Sequence, residues 1–406
     1  MKNNDKKMLF GIGIVFLFLA TVGFSYAYFS NAIANKDVKD QVVQTGTLKL
    51  IYTDGPQIIM NNIKPGDTIT KTVYVANTGT LDAVYNLIWQ ELTNEITNDE
   101  MLIKGTCTRM NSTTEAEEGT CEGVDNTPIT SNNIKRIINI EPNIIHKYDL
   151  TITFKNIDVD QNYNQGKKFS GVLGVKESTQ FEKDSWTTIA TNVKNGNISN
   201  YNLGDTKEVD LGDLGKHNVR IANTTTPEEC STEGFSQTAC GFVLEFEDII
   251  AKHVMNESNR TTGGWPASDM YVYVNTDIYN MFPIDLRSFI IDTTVVSGRG
   301  SVTENNFISS DKLYLLSPKE IYGNFNSFND AARSLTRQFD YYKSIGVTTS
   351  KHTGAAKKYR TVAERWWLRT ALATDSFKFL RIISTGGWNS DSAGYSYGVS
   401  PAFRIG

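Results

Sequence analysis

Apolar residues are concentrated near the start of the chain, where two lysines precede an unbroken apolar stretch at residues 8–29. A basic flank followed by about 20 apolar residues is typical of a secretory leader or of a membrane-spanning anchor. The small residues Ser25 and Ala27 stand where a signal peptidase reads, which predicts cleavage between Ala27 and Tyr28. The stretch is long for a leader, so an uncleaved membrane anchor is the alternative. Both alternatives place the rest of the chain outside the membrane.

Alternation of polar and apolar residues predicts strands in the part of the chain that follows. The predicted strands lie at residues 47–52, 68–75, 84–92, 148–154 and 170–175. Turn-forming residues separate them, as in Pro65-Gly66-Asp67. Short alternating segments joined by such turns predict an antiparallel β-sandwich over residues 31–180.

The hydrophobic period changes after residue 181, where helices and strands are both predicted. Ser185 is a candidate cap for a helix with apolar positions at the helical period, and residues 246–250 and 270–278 repeat that pattern. Ser317-Pro318-Lys319-Glu320 is a capping box with proline at the first helical position. Strands are predicted at residues 313–316, 366–370, 377–384 and 397–405. This part of the chain is therefore expected to be an α+β domain.

Composition narrows the class of protein. The 406 residues allow about two or three domains, and we place the boundaries at residues 1–30, 31–180 and 181–406. The formal net charge is −5, whereas proteins that bind nucleic acids are usually basic, so no nucleic-acid partner is expected.

The four cysteines form two local pairs, Cys107 with Cys121 and Cys230 with Cys240. Neither pair has the C-x-x-C spacing of a zinc or redox site. In an exported chain two short-loop disulfides are expected, with four free thiols as the alternative and a four-cysteine zinc site disfavoured.

The first part of the chain carries short motifs in a fixed order. They are SYAYFS at 25–30, TGTL at 45–48, NIKPGD at 62–67, NTGTLD at 77–82, QNYNQG at 161–166 and STQ at 178–180. In this order they resemble the TasA/camelysin family of exported Bacillus-type proteins. The resemblance implies a jelly-roll-like β-sandwich, processing by a dedicated signal peptidase, and membership of a family that includes biofilm matrix fibre subunits. Residues 101–130 depart from the family and are expected to form a loop or flap.

A second resemblance covers most of residues 185–406. Its motifs include WWLRTA at 366–371, GGW at 386–388 and GVSPAFRI at 398–405. They are similar to the ending of an uncharacterised domain family of Firmicutes surface and phage-associated proteins. The same ending is more distantly similar to C-type-lectin-like folds, which implies a ligand-binding module.

Candidate binding residues are aromatic side chains in Gly/Ser-rich loops: Trp265, Trp388, Tyr395 and Tyr397. Exposed aromatic faces at these positions could stack on sugars, whereas core packing is the alternative interpretation. A basic stretch at residues 351–365 is interpreted as a solvated loop, or as a contact for anionic wall polymers.

Signals of catalysis are weak. Residues 394–398 (GYSYG) match a nucleophile-elbow string, but only eight residues follow and none is histidine. An H-E-x-x-H motif is missing, so we expect neither a metal nor a cofactor and do not transfer the protease-like activity described for camelysin. Cys240 with His253 is the remaining candidate for a catalytic pair.

The sequence therefore predicts an exported Gram-positive surface or biofilm-matrix protein with a displayed C-terminal adhesion or ligand-binding module. Residues 28–49 are expected to act as a strand for self-assembly after cleavage. An uncleaved leader would instead hold the protein in the membrane, and a cell-wall polymer or glycan is the expected partner. The alternatives are an extracellular enzyme with a catalytic C-terminal domain, and a carbohydrate-binding module.

Overall fold

The computed structural model describes residues 50–53, 57–300 and 305–406. Within these ranges none of the helices has the length and apolar character needed to cross a membrane. The apolar stretch at residues 8–29, the predicted cleavage site between Ala27 and Tyr28, and the predicted assembly strand at residues 28–49 all lie outside the described residues.

The first part of the described chain is built from strands. They are β1 (Leu50–Thr53), β2 (Ile58–Met60), β3 (Thr68–Asn77), β4 (Ala83–Asn94), β5 (Met101–Asn111), β6 (Glu117–Pro128), β7 (Asn133–Ile140), β8 (Ile144–Phe154) and β9 (Phe169–Glu177). They form two antiparallel sheets with the orders β1-β3-β8-β5-β6 and β2-β9-β4-β7.

A single apolar core lies between these two sheets, and both sheets contribute to it. Alternation in β8 explains why: Tyr148, Leu150 and Ile152 are fully buried, while the residues between them are more exposed. Successive side chains of a strand point to opposite faces, so one face of β8 packs inward and the other meets solvent. The mainly β, antiparallel character expected from the sequence is confirmed.

Residues 101–130 do not form the expected loop or flap. They form the long strands β5 and β6, joined across the pair by the disulfide between Cys107 and Cys121. Strand β6 buries a single residue, Val124, so its sequence lacks the apolar–polar alternation that would have revealed the hairpin. The expectation was therefore wrong, and the cysteines lie within the sheet itself.

The second part contains fourteen further strands among the described residues. They are β10 (Thr206–Asp210), β11 (Lys216–Asn223), β12 (Val243–Phe246), β13 (Ala251–Val254), β14 (Ile290–Ile291), β15 (Thr293–Ser297), β16 (Phe307–Asp311), β17 (Lys357–Tyr359), β18 (Val362–Glu364), β19 (Trp366–Ala371), β20 (Lys378–Ile382), β21 (Trp388–Ser392), β22 (Ser396–Val399) and β23 (Ala402–Ile405).

Helices in this part are short. They are α1 (Gln180–Lys183), α2 (Trp186–Asn195), α3 (Asp269–Val272), α4 (Tyr279–Met281), α5 (Ile284–Arg287), α6 (Pro318–Ile321) and α7 (Asp340–Ser344), and a π-helical segment at Tyr273–Ile278 joins α3 to α4. Ser185 caps α2 by accepting a hydrogen bond from the backbone of Thr188, and the capping box at the start of α6 is present. These helix starts agree with the sequence predictions.

Two five-stranded sheets, β10-β11-β12-β23-β14 and β13-β22-β19-β20-β21, share one apolar core with the helices. Residues 246–250 were expected to be helical, but Phe246 is the last residue of β12 and residues 247–250 join β12 to β13. All four residues of β12 are buried, and a short, fully buried run cannot be assigned to helix or strand by its periodicity.

Candidate functional site

One face of the sheet β13-β22-β19-β20-β21 carries an aromatic and charged group of side chains. We name it the tyrosine cluster and define it as Tyr395, Tyr397, Trp367, Arg381 and Asp391. The ring of Tyr397 packs against buried Trp367 with a centroid separation of 4.9 Å. Tyr395 stacks beside Tyr397 with centroids 6.0 Å apart and an interplanar angle of 24°. Because Tyr395 is 55% exposed, it is the outer member of the stack.

Asp391 is the fixed acceptor of the tyrosine cluster. The hydroxyl of Tyr397 donates to Asp391 Oδ2 at 2.7 Å, and Arg381 Nε and Nη2 approach the same oxygen at 3.2 and 3.1 Å. The Arg381 guanidinium also lies 5.1 Å from the centroid of the Tyr397 ring. Burial alone would raise the pKa of Asp391, but the hydrogen bond from Tyr397 and the charge of Arg381 hold it below its ordinary value. The cluster thus presents an ionised carboxylate beside an exposed aromatic ring.

Sequence reasoning missed Arg381 and Asp391. The available signal was an arginine inside the apolar strand β20 (KFLRI), because a cation in such a run needs a partner. That signal could have identified Arg381, but nothing in the sequence pairs it with Asp391.

The other two aromatic candidates lie elsewhere. Trp265 is fully buried, and its indole N–H donates to Asp311 Oδ2 at 2.8 Å, so it lacks the exposed face that stacking requires. Trp388 pairs with Ile382, one position beyond Arg381, so it projects from the opposite face of the sheet. There it packs edge-on against Phe325, with ring centroids 5.2 Å apart. Only Tyr395 and Tyr397 are brought together.

The residues of the candidate catalytic pair have other roles. Cys240 is buried and joined to Cys230 by a disulfide, so it offers no thiolate. His253 lies on strand β13 rather than on a helix, and its ring stacks on Tyr273 at 4.2 Å. The His253 Nδ1 atom lies 2.7 Å from the carbonyl oxygen of Val254.

The basic stretch is not the solvated loop that its charge suggested. Lys357 is fully buried and its ammonium group contacts Glu245 Oε2 at 2.9 Å. Arg360 pairs with Asp99 of the sandwich at 2.7 Å, and Arg365 Nη1 donates to the hydroxyl of Tyr397 at 3.4 Å. Much of this charge is therefore neutralised within the molecule.

A second polar group lies on the core face of the sandwich. The two sulfur atoms of Cys107 and Cys121 and one ring nitrogen of His146 all lie within 4.8 Å of one another. Tyr85, from the facing sheet, places its hydroxyl 2.9 Å from His146 Nδ1 and 2.9 Å from the hydroxyl of Tyr148. Burial, and then the nearby charge of an arginine, lower the pKa of His146 to about 4, so its ring is neutral at pH 7.

Two family models match the chain. Residues 5–173 match the family described as camelysin metallo-endopeptidase, and residues 241–406 match a domain of unknown function, DUF6273. Among solved structures, the chain is similar to Spo0M, a sporulation control protein from Bacillus subtilis. The identity is 12%, over 50% of this chain and 74% of that one, and a TM-score of 0.13 gives this likeness no weight. No curated protein matches the chain.

The first family's description implies a metal. In the part of the chain that the structure describes, Cys107, Cys121 and His146 are the one group of three candidate ligands, and the disulfide engages both sulfurs. Catalytic zinc sites take three protein ligands. Because the disulfide removes both sulfurs as ligands, His146 alone of these three residues could bind, and the group does not fit such a metal. Camelysin-type proteins are exported, which agrees with the location expected from the sequence. Both suspected resemblances are confirmed: residues 5–173 match the model of the camelysin family, and residues 241–406 match the model of DUF6273.

Proposed function

We propose that this protein is displayed on the surface or in the extracellular matrix of a Gram-positive cell, where its C-terminal domain binds a glycan through the tyrosine cluster. The observation that supports this function is the exposed ring of Tyr395 beside the ionised carboxylate of Asp391. Sugars carry apolar C–H faces that pack on aromatic rings, and hydroxyl groups that donate to carboxylates. Binding sites of this kind combine apolar walls with a few fixed polar groups.

The arrangement also limits the reorganisation that binding requires. Tyr397 is held by Trp367 on one side and by its hydrogen bond to Asp391, so the inner part of the cluster is already ordered. Ordering side chains on binding costs about 0.5–1.5 kcal/mol each, and a preformed site avoids that cost. The C-type-lectin-like fold suggested by the sequence ending belongs to this proposal and adds no residue to it.

Glycan-array binding and calorimetry with Tyr395→Ala test the proposal. Loss of an anchoring aromatic residue is expected to weaken binding about tenfold, or roughly 1.4 kcal/mol. Phe328→Ala is the matched control, because Phe328 is 80% exposed and lies outside the cluster. Binding that is equal in both variants, or the lack of any glycan ligand, would remove the tyrosine cluster as a glycan site.

The N-terminal sandwich, which we propose to be jelly-roll-like as in TasA, would supply assembly. Strand β9 pairs along its whole length with β4, whereas on its other side β2 covers only Phe169, Ser170 and Gly171. Among the described residues, 172–177 thus keep an open edge, and an added strand could hydrogen-bond there. We propose that residues 28–49 of a neighbouring copy, freed by cleavage after Ala27, occupy it.

Two measurements test this assembly role. Mass spectrometry of the protein recovered from cells should give Tyr28 as the first residue. Sedimentation at increasing concentration should then show oligomers for the protein that starts at Tyr28 and monomers for one that starts after residue 49. A protein starting at Tyr28 that stays monomeric would contradict the role, and an intact leader would favour membrane attachment instead.

A further inference from the structure

An exposed arginine borders the tyrosine cluster and carries an uncompensated charge. Arg365 lies between β18 and β19, and among the described residues it takes part in no ion pair. Lys357 and Arg360 of the same basic stretch each contact a carboxylate instead. The adjacent Glu364 is engaged elsewhere, by Lys252 at 2.6 Å. The charge of Arg365 is therefore available to a ligand.

Tyr397 directs the guanidinium of Arg365 towards the cluster. The Nη1 atom of Arg365 donates to the Tyr397 hydroxyl at 3.4 Å, and the guanidinium carbon lies 5.7 Å from the centroid of the Tyr397 ring. The hydroxyl gives its own proton to Asp391, so its oxygen can accept from Arg365. This contact uses one of the five N–H donors of a guanidinium, whose planar fork fits the paired oxygens of a carboxylate or phosphate.

The charges of the tyrosine cluster leave an excess of one positive charge. Arg381 and Asp391 offset each other, since they are in contact at 3.1 Å and only 6% of Arg381 is exposed. Arg365 adds a second positive charge at the exposed border, and no second carboxylate contacts the cluster among the described residues. The site is therefore suited to a ligand that is itself negatively charged.

We propose that the tyrosine cluster selects acidic saccharides, with Arg365 pairing with a carboxylate or phosphate group while the sugar ring stacks on Tyr395. This inference rests on the glycan binding proposed above and names the class of glycan. Arg365 and Tyr395 lie 5.7 and 6.0 Å from the centre of the same ring, that of Tyr397, so a short saccharide can contact both.

The two contacts have different roles in recognition. An exposed ion pair contributes little by itself, because water and salt screen it. An exposed aromatic ring accepts the apolar face of many sugars and so discriminates poorly between them. A neutral sugar keeps the stacking and loses the ion pair, whereas a free anion keeps the ion pair and loses the stacking. An acidic saccharide makes both contacts and should bind most tightly.

Paired glycan probes test the inference, because each pair shares one sugar backbone and differs in its charged group. Oligogalacturonate is compared with its methyl ester, and phosphomannan with neutral mannan, by calorimetry of the full chain in mild detergent. We expect the acidic member of at least one pair to bind about tenfold more tightly than its neutral partner. The two pairs show whether a carboxylate or a phosphate is preferred, and the difference should shrink as the salt concentration rises.

Arg365→Gln should abolish this difference while leaving the affinity for the neutral member unchanged. Arg365→Lys should retain part of it, because an ammonium group keeps the charge but lacks the planar fork. Arg287→Gln is the matched control, since the guanidinium of Arg287 also lies near a tyrosine ring, 5.9 Å from the centroid of Tyr279, but outside the cluster. This control should keep the full difference.

The possible failures are distinguishable. Equal binding of both members of each pair, weakened by Tyr395→Ala, would refute the acidic preference and leave the glycan site in place. A preference that survives in Arg365→Gln would refute the role of Arg365. Displacement of the acidic saccharide by an equal concentration of inorganic phosphate would indicate an anion site without stacking, which also contradicts the inference. Binding of none of the four probes, or binding that Tyr395→Ala leaves unchanged, would overturn both this inference and the proposed function.

Discussion

Replacing Arg369 with methionine should be among the most damaging single changes to the C-terminal domain. Arg369 is fully buried on β19, and its Nη1 and Nη2 atoms contact the two carboxylate oxygens of Glu320 at 2.6 and 2.5 Å. Nη1 also donates to the carbonyl oxygen of Leu315 at 2.8 Å. Methionine fills part of the same volume but leaves Glu320 as an uncompensated charge in the core.

The size of the effect follows from the burial of both partners of the ion pair, Arg369 and Glu320. Glu320 has no solvent exposure, and its remaining partners are hydroxyl groups and one backbone N–H, none of which carries charge. Removing one partner of a buried ion pair typically costs about 3–5 kcal/mol. With an m-value of about 2–3 kcal/mol per molar urea, the unfolding midpoint should fall by roughly 1–2 M.

Arg360→Met is the matched control, because Arg360 also pairs with a carboxylate, that of Asp99, but both side chains are more than two-fifths exposed. Exposed pairs contribute about 0–1 kcal/mol, so its midpoint should barely move. Urea unfolding is followed by tryptophan fluorescence, since all tryptophans except Trp89 lie beyond residue 181. Equal midpoints for the two variants would refute the argument that burial of the ion pair controls stability here.

Three further predictions concern single residues. Burial raises the pKa of Asp330 to about 6, so the folded protein holds a proton that the unfolded chain releases. The free energy of unfolding should therefore fall as the pH rises from about 4 to about 6. The urea midpoint of Asp330→Asn should not show that fall. Burial lowers the pKa of Lys357 from 10.5 to about 8, so stability should rise with pH across that window, and Lys357→Met should abolish the rise in the same assay. Gly386→Ala should lower the melting temperature far more than Gly196→Ala. Both glycines have positive φ, but a Cβ at Gly386 would lie 2.0 Å from the carbonyl oxygen of His352, whereas the space at Gly196 is open.

Local patterns predicted the sandwich well and the second domain only in part. In β3 and β8 every second residue faces the core, and this alternation was visible in the sequence. Alternation failed to predict β12, which is buried on both faces, and β6, in which Val124 alone is buried. In both strands, pairing with neighbours distant in sequence decides the structure, and no local signal records that pairing.

The candidate site depended on the same long-range information. Tyr395 and Tyr397 were visible as aromatic residues in a Gly/Ser-rich segment, but Trp388 appeared equivalent to them. Trp388 lies apart from them because successive residues of β21 face opposite sides of the sheet, and Trp388 pairs with Ile382 rather than with Arg381. A shift of one residue in a strand register exchanges its two faces, and sequence alone did not fix that register.

The hairpin of β17 and β18 lies within the basic stretch and joins the two halves of the molecule. At its base, Lys357 is buried against Glu245, which fixes the hairpin to the core of the second domain. At its tip, Arg360 has a φ of 59° and reaches Asp99 of the sandwich, while the hydroxyl of Thr361 donates to the carbonyl oxygen of Asn94 at 2.8 Å. A bulky residue adopts positive φ at a cost, which these cross-domain contacts help to offset. The positive charges of Lys357 and Arg360 therefore serve contacts within the molecule.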